Sequence, residues 1–205
     1  MDKMKNGAVL RNGTQRTAKE VFEKYAIVIA FLALLLVVSI LCSSFLTPSN
    51  LILVLNQTSI NGILAVGITY VLITAGIDIS IGSVVGLSGV ISAMVVKAGA
   101  PLPVGFLCGI LAGTLVGVII GILVTKGKLA PYIVTLGFLT IIRGAALLIA
   151  GGRPISSLGD AYGWIGNHNV FGVIPCPVII FLIVVVIGHI ILAHLQIGRY
   201  IYAVG

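Results

Sequence analysis

The residues best suited to chemistry cluster at 74–89, Thr-Ala-Gly-Ile-Asp-Ile-Ser-Ile-Gly-Ser-Val-Val-Gly-Leu-Ser-Gly. Asp78 is the only carboxylate between Glu23 and Asp160, and it stands in a long, mostly apolar stretch. An ionised group at mid-bilayer costs about 2.5–3.5 kcal/mol on insertion scales, so such a residue must be compensated. Two readings are open. Asp78 lines a path through the membrane, or, with Ser80, it caps a helix start, where orphan N–H groups and the helix dipole favour a carboxylate. The cap is preferred if the segments on either side both cross the membrane, because Asp78 then falls at their junction. A deep, re-entrant position would reverse the preference.

Other polar groups lie inside apolar segments. Asn56, Gln57, Thr58, Ser59 and Asn61 cluster, and Gln57 and Asn61, four apart, share a helix face. They bond across helices or line a polar path. Arg143 lies 12 residues past Pro131, about 18 Å along a helix that starts there. It snorkels outward or pairs with Asp78. Arg153 opens a stretch that carries Asp160, Tyr162, Trp164, Asn167, His168 and Asn169. That mixture suits recognition of a polar ring, docking of another protein, or an interfacial aromatic belt, and the belt is the simplest of the three. Asn56, Gln57, Asn61, Arg143 and Arg153 are the candidates for a substrate path.

Nucleotide and metal signatures are missing from the sequence. No two glycines stand two apart, so Gly-x-Gly-x-x-Gly cannot occur. Gly127-Lys128 has Ile122 and Leu129 where a phosphate-binding loop needs Gly and Ser/Thr. His189 and His194 lack the spacing and the glutamate of a metal site, and no metal is expected. Cys42, Cys108 and Cys176 are scattered in apolar segments and read as small hydrophobes.

The elements that must hold these residues are membrane helices. The 205-residue chain is 59% hydrophobic and 8% charged, against about 25% charged for a soluble domain. The expected fold is an all-α polytopic bundle of about six transmembrane helices at 25–43, 51–74, 80–96, 104–124, 131–150 and 174–195. Ser49 or Asn50 would cap the second, and Pro131 would take the first position of the fifth. The third is short, about 17 residues, and is either a full crossing or a broken, re-entrant element. Residues 151–173 form one long loop. Six of the 12 Lys/Arg precede Tyr25. With a cytoplasmic N-terminus and single crossings, nine Lys/Arg fall inside and two, Lys97 and Arg153, outside, in accord with the positive-inside rule. The tail 1–24 is therefore read as cytoplasmic, with no nucleic-acid role, and 25–205 as the membrane domain.

The fourth segment carries Gly105, Gly109, Gly113, Gly117 and Gly121 at intervals of four. Such a row drifts about 40° per step and makes an oblique groove for a close helix neighbour, suited to a crossing near −40°. Tight packing is preferred over a sliding contact.

Several blocks together resemble the ribose/xylose/galactose-type ABC transporter permeases. They are Gly-Ile-Asp-Ile-Ser-Ile-Gly-Ser at 76–83, Asn-Gly-Ile-Leu-Ala-Val-Gly at 61–67, Ile-Val-Thr-Leu-Gly at 133–137, Arg143-Gly144, Gly-Gly-Arg-Pro-Ile at 151–155 and Gly-Arg-Tyr-Ile-Tyr-Ala-Val-Gly at 198–205. The resemblance implies a non-enzymatic, multi-pass permease subunit of a bacterial plasma-membrane importer for a monosaccharide. It further implies a separate ATPase that binds ATP, a periplasmic or surface sugar-binding protein, a second permease subunit in a homodimer, and surrounding lipid, with no cofactor in this chain. Members of the family are longer, and 198–205 resembles the entry to their coupling loop, so the chain reads as the N-terminal portion of such a permease. An ion-coupled carrier using Asp78 and Arg143 and a non-transporting assembly subunit are the alternatives.

Overall fold

The computed structural model describes residues 23–205 except 171 and 173. Most of the basic tail, residues 1–22, lies outside the described residues. The chain divides into two compact units, Met1–Leu53 and Val54–Gly205.

In the first unit, α1 (Glu23–Leu41) is apolar along its length and long enough to cross a membrane. The helix after it, α2 (Pro48–Ile73), begins three residues earlier than expected. Pro48 explains the shift: its fixed φ suits the first helical position, where no N–H is needed. Asn50, expected as a cap, instead donates from Nδ2 to the Phe45 carbonyl at 2.8 Å.

The second unit holds most of α2, then α3 (Ile81–Lys97), α4 (Leu102–Thr125), α5 (Pro131–Ile149), α6 (Asp160–Asn167), a minimal antiparallel pairing of β1 (Asn169–Val170) with β2 (Ile174–Pro175), α7 (Cys176–His194) and α8 (Gln196–Val204). Helices α1, α2, α4, α5 and α7 are each long and apolar enough to span a bilayer. The shorter α3 is unbroken over 17 residues, about 25 Å at 1.5 Å per residue. The chain is thus an all-α polytopic membrane protein. Many large apolar side chains are exposed, Leu148 at 83% among them, as lipid-facing helices require.

The core lies among α3, α4 and α5. Leu87, Val116, Ile120, Val134 and Ile142 are buried together, with Val84, Leu123, Phe138 and Ala146 packed on them. Val134, Phe138, Ile142 and Ala146 recur every four residues, one stripe of α5. Helix α3 runs parallel to α5: Thr135 Oγ1 reaches the Ile77 carbonyl at 3.3 Å, and Ser83 Oγ donates to the Leu139 carbonyl at 2.9 Å. It runs antiparallel to α4, with Val96 near Gly105 and Val84 near Gly113. Tyr70 of α2 donates its hydroxyl to the Gly188 carbonyl of α7 at 2.9 Å, and Gly62 sits under the Phe181 ring.

The stretch 151–173, expected to be one loop, contains α6 and β1. Both elements are too short for hydrophobic periodicity to reveal them. The last segment also folds: α8 follows a break at Leu195 and its end, Gly205, lies against the Ile73 carbonyl.

Candidate functional site

The α3–α4 contact determines which way α3 faces. Val84, Ser88, Ser92 and Val96 stand four apart on α3 and fit against Gly105, Gly109 and Gly113, which stand four apart on α4. A Cβ on Gly109 would lie 2.8 Å from the Ser88 carbonyl oxygen, and one on Gly105 would meet Val96 and lie 3.0 Å from the Ser92 carbonyl oxygen. The backbones touch because the side chains are absent, which is how helices attract without a hydrophobic force between them. The fit leaves the buried Ser92 hydroxyl without a hydrogen-bond partner among the described residues. Gly117 and Gly121 do not join this contact: a Cβ there meets nothing within 4 Å. The drift of a four-residue row turns them away from α3.

With Ser88 and Ser92 against α4, α3 presents Gly82, Gly86 and Gly89 on another side, where an added Cβ also meets nothing within 4 Å. This side lines an open cleft between α3 and α5 with two chambers. The larger, about 660 Å³, is lined by Gly86, Gly89, Ala93, Arg143, Arg153 and Tyr162 among others. The smaller, about 400 Å³, is lined by Ile79, Gly82, Ser83, Gly86, Leu139, Arg143 and Ala146. Gly86, Arg143 and Ala146 belong to both and form the waist between them. The guanidinium of Arg143 has no hydrogen bond or ion pair among the described residues, so its five fixed donors are free.

Asp78 takes no part in this cleft. Its Oδ1 accepts from the Ser80 backbone N–H at 2.8 Å and the Ser80 hydroxyl at 2.6 Å. Ser80 occupies the N-cap position of α3 and is fully buried, but its side chain makes no cap hydrogen bond to the helix. The carboxylate therefore satisfies the N-cap residue itself, one of the donors a helix start leaves open. No ion pair joins Asp78 to Arg143. Just before, Ala75 takes a positive φ of 56°, a left-handed conformation that costs a non-glycine residue about 1–2 kcal/mol and stops α2 abruptly ahead of the link.

The five path candidates separate. Arg143 and Arg153 both line the larger chamber, Arg153 beyond the C-terminus of α5. Asn56 donates from Nδ2 to the Gly166 carbonyl of α6 at 3.1 Å, and its Oδ1 is buried without a partner among the described residues. Gln57 and Asn61 are exposed on α2 and line neither chamber. Sequence reasoning left Gly82, Gly86 and Gly89 out of the site, although their spacing of four and three marks one helix face.

At the far end of the cleft from Asp78, Tyr162 of α6 lines the larger chamber and packs on Phe106 of α4 at 5.7 Å between ring centroids.

Comparison with known proteins follows the same lines. The family described as branched-chain amino acid transport system / permease component matches residues 50–205. The ribose import permease protein RbsC of Bacillus subtilis (strain 168) is 40% identical over 186 residues, 90% of this chain and 58% of that protein. RbsC of Haemophilus influenzae is 41% identical over 185 residues, 86% of this chain and 56% of that protein. The D-allose transport system permease protein AlsC of Escherichia coli (strain K12) is 33% identical over 162 residues, 78% and 49% respectively. The chain thus spans somewhat over half the length of the ribose permeases it matches. No solved structure matches.

Proposed function

The chain belongs to the branched-chain amino acid transport system / permease component family, and from that premise we propose that it is a permease subunit of an ATP-driven importer for a monosaccharide. The family description names amino acids. The similar proteins are named for ribose, allose, galactofuranose and autoinducer 2, which supports a polyhydroxylated substrate. The α3–α5 cleft is the path, and the single observation that carries this reading is the waist at Gly86, Arg143 and Ala146. Small residues on α3 leave room for a ring, and Arg143 offers several N–H donors to hydroxyl groups that leave water.

In this reading Asp78 is structural, and the end of the bundle that holds Asp78, Lys126, Lys128 and α8 faces the cytoplasm of the plasma membrane. A separate ATPase engages that end. The opposite end, with Arg153 and α6, receives the sugar from a binding protein. A second permease subunit covers part of the outward apolar surface. The chain contributes no nucleotide site and no cofactor.

The test is D-ribose uptake into vesicles that hold the chain with its ATPase and binding protein. Uptake is expected to need ATP and to fall at least tenfold in Arg143→Ala while the protein is recovered folded. Uptake that persists without the ATPase and collapses with an uncoupler would establish an ion-coupled carrier instead.

A further inference from the structure

Helix α6 has two working faces, and only one of them belongs to the cleft. At 3.6 residues per turn, Asp160, Gly163, Trp164 and Asn167 fall within about 100° of one another, while Tyr162 points the opposite way. Tyr162 lines the larger chamber of the cleft. The other four residues, with Gly159 and His168, line a separate concavity of about 400 Å³. That volume is within the range of about 300–1,000 Å³ usual for small-molecule sites.

The lining is chemically specific. Trp164 stacks on the His168 imidazole, ring centroids 4.4 Å apart and planes 19° apart, and is 56% exposed. The indole is thus held in orientation and still offers apolar surface. Gly163 lets the Asn167 amide come close: a Cβ on residue 163 would lie 3.0 Å from its Nδ2. The side chains of Asp160, Asn167 and His168 make no hydrogen bond or ion pair among the described residues. A sugar ring has the matching chemistry. Its C–H face is apolar and lies on an aromatic plane, and its rim of hydroxyls donates to a carboxylate and exchanges hydrogen bonds with an amide.

We propose that Asp160, Trp164, Asn167 and His168 form a monosaccharide-binding shelf, a site distinct from the cleft, in which the ring stacks on Trp164 and its hydroxyls bond Asp160 and Asn167. This deepens the transport reading and rests on it for the choice of ligand. The single helix α6 joins the shelf to the mouth of the path, so a sugar released there is held one helix width from the larger chamber.

Trp164 is the only tryptophan in the chain, so its fluorescence reports this site alone. The experiment titrates the purified full chain in lipid nanodiscs with D-ribose, D-allose and D-galactose, and with glycerol as a control. At least one sugar is expected to give a saturable change that glycerol does not. Asp160→Asn and Asn167→Ala should each weaken it about tenfold, and Arg143→Ala should leave it unchanged while abolishing ATP-dependent uptake. No saturable change with any of the three sugars overturns the shelf, as does a change that survives both shelf substitutions. A response to sugar-free binding protein in place of the sugars also overturns it, and marks the surface as a protein dock. A saturable Trp164 response in a chain that supports no uptake would sustain the shelf and sink the transport reading.

Discussion

On α4, Gly105, Gly109 and Gly113 press so closely on α3 that a methyl group at Gly109 would lie 2.8 Å from the Ser88 carbonyl oxygen; on α3 itself, a methyl group at Gly82, Gly86 or Gly89 would touch nothing within 4 Å. Both rows consist of the same residue at near-helical spacing in apolar helices. In the first, the absent side chain lets two backbones meet. In the second, it leaves a void beside α5 with Arg143 at its waist. Glycine density therefore marks either the tightest or the loosest place in a membrane bundle, and the neighbour decides which.

The comparison is broken most forcefully at the tight row. Gly109→Leu should cost about 2–3 kcal/mol by overpacking against backbone that cannot move aside. The measurement is the thermal midpoint in detergent, and an unchanged midpoint would remove the distinction between the rows. Next in size is the anchor at the start of α3. Asp78→Ala strips the buried Ser80 of the acceptor shared by its N–H and hydroxyl, a loss of about 1–3 kcal/mol in all because water can reach the site from the shortened side chain, again read from thermal stability.

At the open row the effect should move from stability to transport. Gly86→Leu is expected to keep the wild-type midpoint and lower D-ribose uptake at least tenfold, about 1.4 kcal/mol or more, because the side chain fills the waist. A loss of stability equal to that of Gly109→Leu would show that the cleft is closed in the assembled protein. Smaller still, Asp78→Asn keeps an oxygen for both Ser80 donors and should cost about 1 kcal/mol, the difference between charged and neutral acceptors, with uptake retained. Loss of uptake in a folded Asp78→Asn protein would return Asp78 to the path. Smallest is Gly117→Leu, whose Cβ meets nothing within 4 Å among the described residues and which should alter stability by less than about 0.5 kcal/mol. If the variant instead loses subunit association in a mass measurement, the exposed end of the α4 row contacts a second copy.

Much of this was legible in the residue order. Long apolar runs separated by Pro, Gly and Lys gave five long helices and one short one within a few residues of their bounds, because hydrocarbon thickness dictates segment length. Pro131 fell at the first position of α5, as its missing N–H predicts. Three features were not legible. The eight-residue α6 and the two-residue strands are too short to carry periodicity. The polar set on α2 left cross-helix bonding and a polar path equally open; Asn56 bonds the Gly166 carbonyl, and Gln57 and Asn61 line neither chamber, because a shared helix face says nothing about which neighbour that face meets. Residue order left Arg143 to snorkel outward or to pair with Asp78, and each has a different setting: Asp78 is taken by Ser80, and Arg143 lines the cleft with the α3 glycines.

The sequence by itself determined that this chain is a membrane bundle, where its helices lie, and that Asp78, the glycine rows and Arg143 are its unusual features. These are properties of single segments, set by hydropathy and local hydrogen bonding. Only the tertiary structure decided that Asp78 binds Ser80, that three glycines of the α4 row are contact and two are open, and that Arg143 stands at the waist of a cleft floored by Gly82, Gly86 and Gly89. Each of those facts depends on how one helix is rotated against the next. That rotation is fixed by backbone approach between segments far apart in the chain, for which a single helix's sequence carries the spacing but not the partner.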